Sequence, residues 1–160
     1  MTSYFLDSSA VVRLYTAEIG SRTVANMLRS ARAQPPTAQV LVCDLSLPET
    51  VSALLQIAQD AHGPKRGLSR AALKHVLPQV RADFDGAAPL SLVPATGCME
   101  LAADLVEKHR LQVADAVLVA AALRTQRVVP EAASFVFVSD DLAQCRAAEA
   151  EGLYVLRTAA

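Results

Sequence analysis

The sequence has no Trp, three Cys, three His and almost no net charge, with 15 Lys and Arg against 16 Asp and Glu for a formal −1 at pH 7. Near-neutrality argues against a protein held on nucleic acid by bulk positive charge, yet leaves room for a specific complex in which bound cations offset acidic residues. Cys43, Cys98 and Cys145 stand far apart with no CxxC pair, a pattern of buried apolar thiols in a reducing cytosol, without disulfide or zinc. There is no Walker loop and no GxSxG, and His62, His75 and His109 are scattered. Phosphate-cradling loops, serine hydrolases and a histidine acid–base pair therefore lose support. No basic segment followed by a long apolar core opens the chain, and the richest apolar run, Ala116 to Leu123, is too short to span a bilayer. These absences predict a soluble, cytoplasmic protein with no membrane partner.

What is present is 160 residues, 52% of them hydrophobic. A chain of this length forms one domain, residues 1–160, that buries about 70% of the surface its unfolded form exposes. The apolar residues are mostly Ala, Leu and Val, which suits helices packed on a small buried sheet.

Tyr4-Phe5-Leu6 is a short apolar run that stops at Asp7-Ser8-Ser9, a strand ending where Asp and Ser can cap a first helical turn. Residues 8–15 and 22–32 read as two helices or one broken helix, with Gly20-Ser21 between them. Val40 to Cys43 is a second strand. Ser46-Leu47-Pro48-Glu49 has the form of a capping box opening a helix to about residue 61. Residues 62–67 combine breakers with Lys65 and Arg66, so an exposed loop is expected there, followed by a helix over 69–84. A third strand over 89–93, helices over 96–109 and 113–123, a strand over 135–138, a helix from 142 to near Gly152 and a last strand over 153–156 complete the reading. Strands alternating with helices imply an α/β fold with a parallel sheet of four to five strands covered on both faces by right-handed crossovers.

The acids fall in a pattern. Asp7, Glu49 and Asp141, with Asp140 beside it, each follow a strand within a few residues and open the next helix. A parallel sheet brings those strand ends to one edge, where open α/β sheets bind ligands. Asp115, alone among Val, Ala and Leu near the start of its helix, can complete the cluster. Carboxylates gathered without Lys or Arg between them repel, and Mg²⁺ or Mn²⁺, hard cations that prefer oxygen ligands, would relieve this. Each acid taken singly also reads as a helix cap: Glu49 as the capping-box partner of Ser46, Asp140 or Asp141 as a first-turn acid. Asp115 fits that reading least, because its helix otherwise holds only apolar residues around it.

Together, Phe5-Leu6-Asp7-Ser8-Ser9, the acid in Leu47-Pro48-Glu49-Thr50-Val51, Asp115-Ala116 opening a small-residue helix, and Phe137-Val138-Ser139-Asp140-Asp141-Leu142 leading to Glu151-Gly152-Leu153 resemble the motifs of PIN-domain ribonucleases. Within that family, Leu14-Tyr15 followed by Glu18-Ile19-Gly20-Ser21 is similar to the VapC-type toxins of bacterial toxin–antitoxin pairs. The resemblance spans essentially the whole chain and implies a three-layer α/β/α PIN-like fold. It implies Asp7, Glu49, Asp115 and Asp141 as catalytic, metal-binding acids for Mg²⁺ or Mn²⁺, with Asp140 a further candidate ligand. Ser8 and Ser139 would be hydrogen-bonding supports of those acids, with plain helix capping as the alternative. Glu18 fits a family position outside the metal quartet.

The implied activity is a divalent-metal-dependent endoribonuclease, a hydrolase that cuts RNA with a metal-activated water and leaves a 5′-phosphate. Lys65, Arg66 and Arg110 are candidate contacts to the RNA backbone, against the simpler reading of solvated surface cations. The implied partners are RNA, a cognate antitoxin covering the acidic edge, and a second copy in a homodimer, for which Val11, Val12, Leu14 and Tyr15 offer apolar surface. A PIN-type RNA-processing nuclease that is not a toxin and a non-catalytic dimeric binding module are the alternatives. A phosphoaspartyl phosphatase would need an acid two residues after its nucleophile, where Ser9 stands.

Overall fold

A computed structural model describes residues 1–33, 36–60, 68–85, 90–130 and 134–159. The elements in order are β1 (Thr2–Leu6), α1 (Ser8–Val12), α2 (Ser21–Arg32), β2 (Ala38–Cys43), α3 (Ser46–Gln59), α4 (Arg70–Asp83), β3 (Leu90–Val93), α5 (Met99–His109), α6 (Val113–Gln126), β4 (Ser134–Val138), α7 (Leu142–Ala150) and β5 (Val155–Leu156). The strands form one five-stranded sheet in the order β3-β2-β1-β4-β5, every neighbouring pair parallel. β1 is the middle strand, matched residue for residue from Thr2 to Leu6 with Ala38–Val42 on one side and Ser134–Val138 on the other.

Alternation along the strands divides the core between two faces. Phe5, Leu41, Cys43, Phe135 and Phe137 face one way, onto α5, α6 and α7; Phe5 stacks on Phe137 with ring centroids 6.1 Å apart. Leu6, Val40, Val42, Val136 and Val138 face the other way, onto α1 to α4 through Val11, Val24, Leu54 and Val80. This is the three-layer α/β/α arrangement that the alternating pattern implies. α6 carries the tightest part of it: every residue from Ala116 to Leu123 is buried, as befits a helix that is apolar all round and small enough to be enclosed on all sides. Among the described residues, no helix is long and apolar enough to cross a membrane.

Several local expectations are corrected. The first helix stops at Val12 and gives way to turns over 13–15, so the two-helix alternative holds; α2 starts after Gly20, whose φ of 92° and close approach to Thr158 suit a residue without Cβ. The capping box does not form. Ser46 already lies inside α3 behind Leu45, its hydroxyl buried without a partner, and Glu49 reaches across to α1 instead of back to its own helix. Val11 and Val12 are spent in the core of their own sheet rather than on a surface. Leu14 and Tyr15 are half-buried, and the Tyr15 hydroxyl donates to Asp83 Oδ2 at 2.9 Å.

Candidate active site

The chain runs outward from β1 through β2 to β3, then returns to the other side of β1 for β4 and β5. Strand order therefore reverses between β1 and β4, the switch point beyond whose carboxyl ends open α/β sheets form their ligand crevice. Asp7 is the residue that follows β1, and Ser139 the one that follows β4.

Asp7 caps α1 and is 1% exposed. Its Oδ1 accepts from the Ala10 N–H at 2.9 Å and from the Ser9 hydroxyl at 2.8 Å, and its Oδ2 accepts from the Ser139 hydroxyl at 2.9 Å. No cation is among these donors. Burial pushes the carboxyl up to about 6 in spite of those hydrogen bonds, because they return less than the water that folding removed. Glu49, in the first turn of α3, accepts from the Ser8 hydroxyl. Its pKa is raised by burial and by the negative charge of Asp115. Asp115, in the first turn of α6, is raised by burial and by the charge of Asp141, while its Oδ1 accepts from Gln144 Nε2 at 2.7 Å. Asp141 caps α7, accepting from the Gln144 N–H at 2.8 Å, and its own N–H donates to the Ser139 hydroxyl at 3.1 Å. Ser139 thus joins Asp7 to Asp141, Gln144 joins Asp141 to Asp115, and charge couples Asp115 to Glu49.

Asp140 points into a different network. It forms an ion pair with Arg13 at 2.9 Å and accepts from the Thr158 hydroxyl and the Ala159 N–H. Burial would raise its pKa, but Thr158, Ala159 and the Arg13 guanidinium together hold it below the ordinary carboxylate range. Its N–H donates to the Ser9 hydroxyl oxygen at 3.2 Å. Arg110 ends α5 in the left-handed region at φ 58° and lines an apolar groove with Met99, Val106, Val113 and Val117; among the described residues it pairs with none of the acids. Lys65 and Arg66 lie outside the described residues. His109 sits away from the acids on Glu151, Nε2 to Oε1 2.6 Å, and the three cysteines are buried.

Ser9 and Gln144 belong to the site and escaped the sequence reading. Ser9 follows its acid by two residues and Gln144 follows Asp141 by three, offsets at which a cap and its neighbours share hydrogen bonds; that spacing was the available signal.

Carboxylate oxygens without a Lys or Arg partner, with Asp7, Glu49 and Asp115 raised chiefly by burial, are the donors a hard divalent ion prefers. Among the described residues no three Asp, Glu, His or Cys side chains stand close enough to clasp one ion as a closed cage.

The likeness to known proteins is distant in sequence and extensive in structure. Among curated proteins no sequence matches. Among solved structures, the crystal structure of VapBC2 from Rickettsia felis bound to a DNA fragment from their promoter is similar to this chain, with a TM-score of 0.57 at 13% identity over 98% of each chain. At that identity the likeness speaks to fold alone. A family model described as the PIN domain matches residues 4–150, a span that holds the crevice and all four of the acids around it, and the chain belongs to the PIN-domain family.

Proposed function

We propose that this chain is a divalent-metal-dependent endoribonuclease and the toxin of a toxin–antitoxin pair. PIN domains are generally nucleases, which supports the hydrolase class; the VapBC2 likeness, together with the Leu14-Tyr15 and Glu18 to Ser21 motifs, supports the toxin. The observation that carries the reading is a set of acids without a basic partner: Asp7, Glu49 and Asp115 are all raised chiefly by burial, Glu49 also by the charge of Asp115 and Asp115 by that of Asp141, and no Lys or Arg is among the causes.

In this reading Asp7, Glu49, Asp115 and Asp141 hold Mg²⁺ or Mn²⁺. When bound, the ion lowers the pKa of a water for in-line attack on a phosphodiester and neutralises charge on the leaving oxygen. Ser9 and Ser139 fix the Asp7 carboxylate from both sides, and Ser8 fixes Glu49. Asp140 is engaged by Arg13, so the fourth acid is Asp141. Lys65, Arg66 and Arg110 guide the RNA backbone. The chain works in the cytoplasm as a homodimer, and an antitoxin covers the acidic edge.

The test is cleavage of a mixed RNA pool, paired with calorimetric titration of Mn²⁺. Wild type should cut RNA to 5′-phosphate ends, stop in EDTA, and bind Mn²⁺; Asp141→Asn should weaken both, while Asp140→Asn should leave Mn²⁺ binding intact. Cutting that persists in EDTA or in Asp115→Asn would overturn the nuclease. Silence toward Mn²⁺ would favour a non-catalytic binding module.

A further inference from the structure

Gln144 stands on the inward face of α7 among Cys145, Ala147 and Ala148, and is 3% exposed. A buried position with apolar neighbours ordinarily takes Leu or Ala, because an amide there must find partners for all its polar atoms. This one does not find them all: Oε1 is buried and unpartnered. Keeping an amide under those conditions is unfavourable unless its other end does something that an apolar side chain cannot.

Its Nε2 holds an acid, next to the one that its backbone N–H caps. The backbone N–H of Gln144 donates to Asp141 Oδ1 at 2.8 Å, and its Nε2 donates to Asp115 Oδ1 at 2.7 Å. The orientation of the amide is fixed by its partner, since an ionised carboxylate only accepts and the flipped amide would set two acceptors against each other. Among the described residues, Oδ2 of Asp115 and Oδ2 of Asp141 accept no hydrogen bond. Resting on the metal-dependent reading above, we infer that Gln144 is a positioning residue: its side-chain amide, by occupying Oδ1 of Asp115, fixes that acid's orientation and leaves its Oδ2 as the oxygen offered to a cation, beside Asp141, whose Oδ1 is already held by the cap bond of α7. α6 and α7 otherwise present these acids from separate helices, and the amide ties Asp115 on α6 to the first turn of α7.

Hydrogen-bonding supports of this kind change metal affinity by roughly tenfold or more when removed. The experiment is Mn²⁺ titration by calorimetry on wild type and Gln144→Met, with thermal unfolding of both in EDTA as the metal-free control. Gln144→Met should bind Mn²⁺ with the wild-type stoichiometry and an affinity about tenfold weaker, while unfolding in EDTA near the wild-type midpoint. Unchanged affinity overturns the inference, and so does a loss of affinity that only follows lost stability. Gln144→Asn keeps an amide but draws it back from Asp115; it should weaken binding likewise and serves if Gln144→Met does not fold. Wild type that binds Mn²⁺ alongside unaffected variants removes the inference alone. Wild type that ignores Mn²⁺ removes the proposed function, and the inference with it.

Discussion

Asp7 is held by three hydroxyl or amide donors and still titrates near 6, so its ionised form opposes folding. An ordinary unfolded Asp releases its proton near 3.8, and between that value and about 6 the folded chain binds more protons than the unfolded one. Stability from this residue therefore falls as pH rises through the window, is fully lost above it, and is restored below it. The shift corresponds to about 3 kcal/mol. In EDTA, Asp7→Asn should be close to wild type at pH 4 and more stable by up to about that amount at pH 7. Urea denaturation across the range measures it, and parallel curves for the two proteins would contradict it. Single acids were legible in the sequence because each follows a strand or interrupts an apolar helix. Asp141 is set ahead of Asp140 there only through the family resemblance: the neighbours diverge at the cap of α7, and the partners that distinguish them, Arg13 and Thr158 on one side and Gln144 on the other, come from three different parts of the chain.

At the level of elements, α6 shows how apolar packing aims a polar group. Ala116 to Leu123 are enclosed between the sheet and its neighbouring helices, which leaves the first turn of the helix, with Asp115, fixed at the crevice. Leu118→Ala should cost about 2–5 kcal/mol through the cavity it opens. Ala120→Leu should cost about 1–3 kcal/mol by overfilling. Denaturant midpoints check both, and a neutral outcome at both would mean that the helix is looser than its burial implies. Strands and long helices were readable from apolar period; the ends were not. The Ser46 to Glu49 pattern signals a capping box, but Glu49 finds the Ser8 hydroxyl of α1, a tertiary partner that outcompetes the local one. The helix expected over 8–15 likewise yields to turns once Val11 and Val12 are seated in the core and Arg13 is drawn to Asp140.

For the molecule as a whole, the reversal of strand order at β1 sets Asp7, at the end of β1, against Ser139, at the end of β4, and so brings the cap of α7 beside that of α1. Alternation of strands and helices made the parallel sheet legible, whereas its strand order rests on long-range pairing that no local pattern records. The proposed homodimer belongs to this scale, and the buried state of Val11 and Val12 removes them from its surface. Sedimentation at micromolar concentration should give twice the mass of the chain; an active monomer would end that part of the proposal. The bond between Ser139 and Asp7 spans 132 residues. A polypeptide still emerging from the ribosome therefore has its first acid early but cannot finish the crevice until β4 and the start of α7 have been synthesised, so a translation product interrupted before them lacks Ser139 and Asp141 and leaves the Asp7 carboxylate held from one side alone.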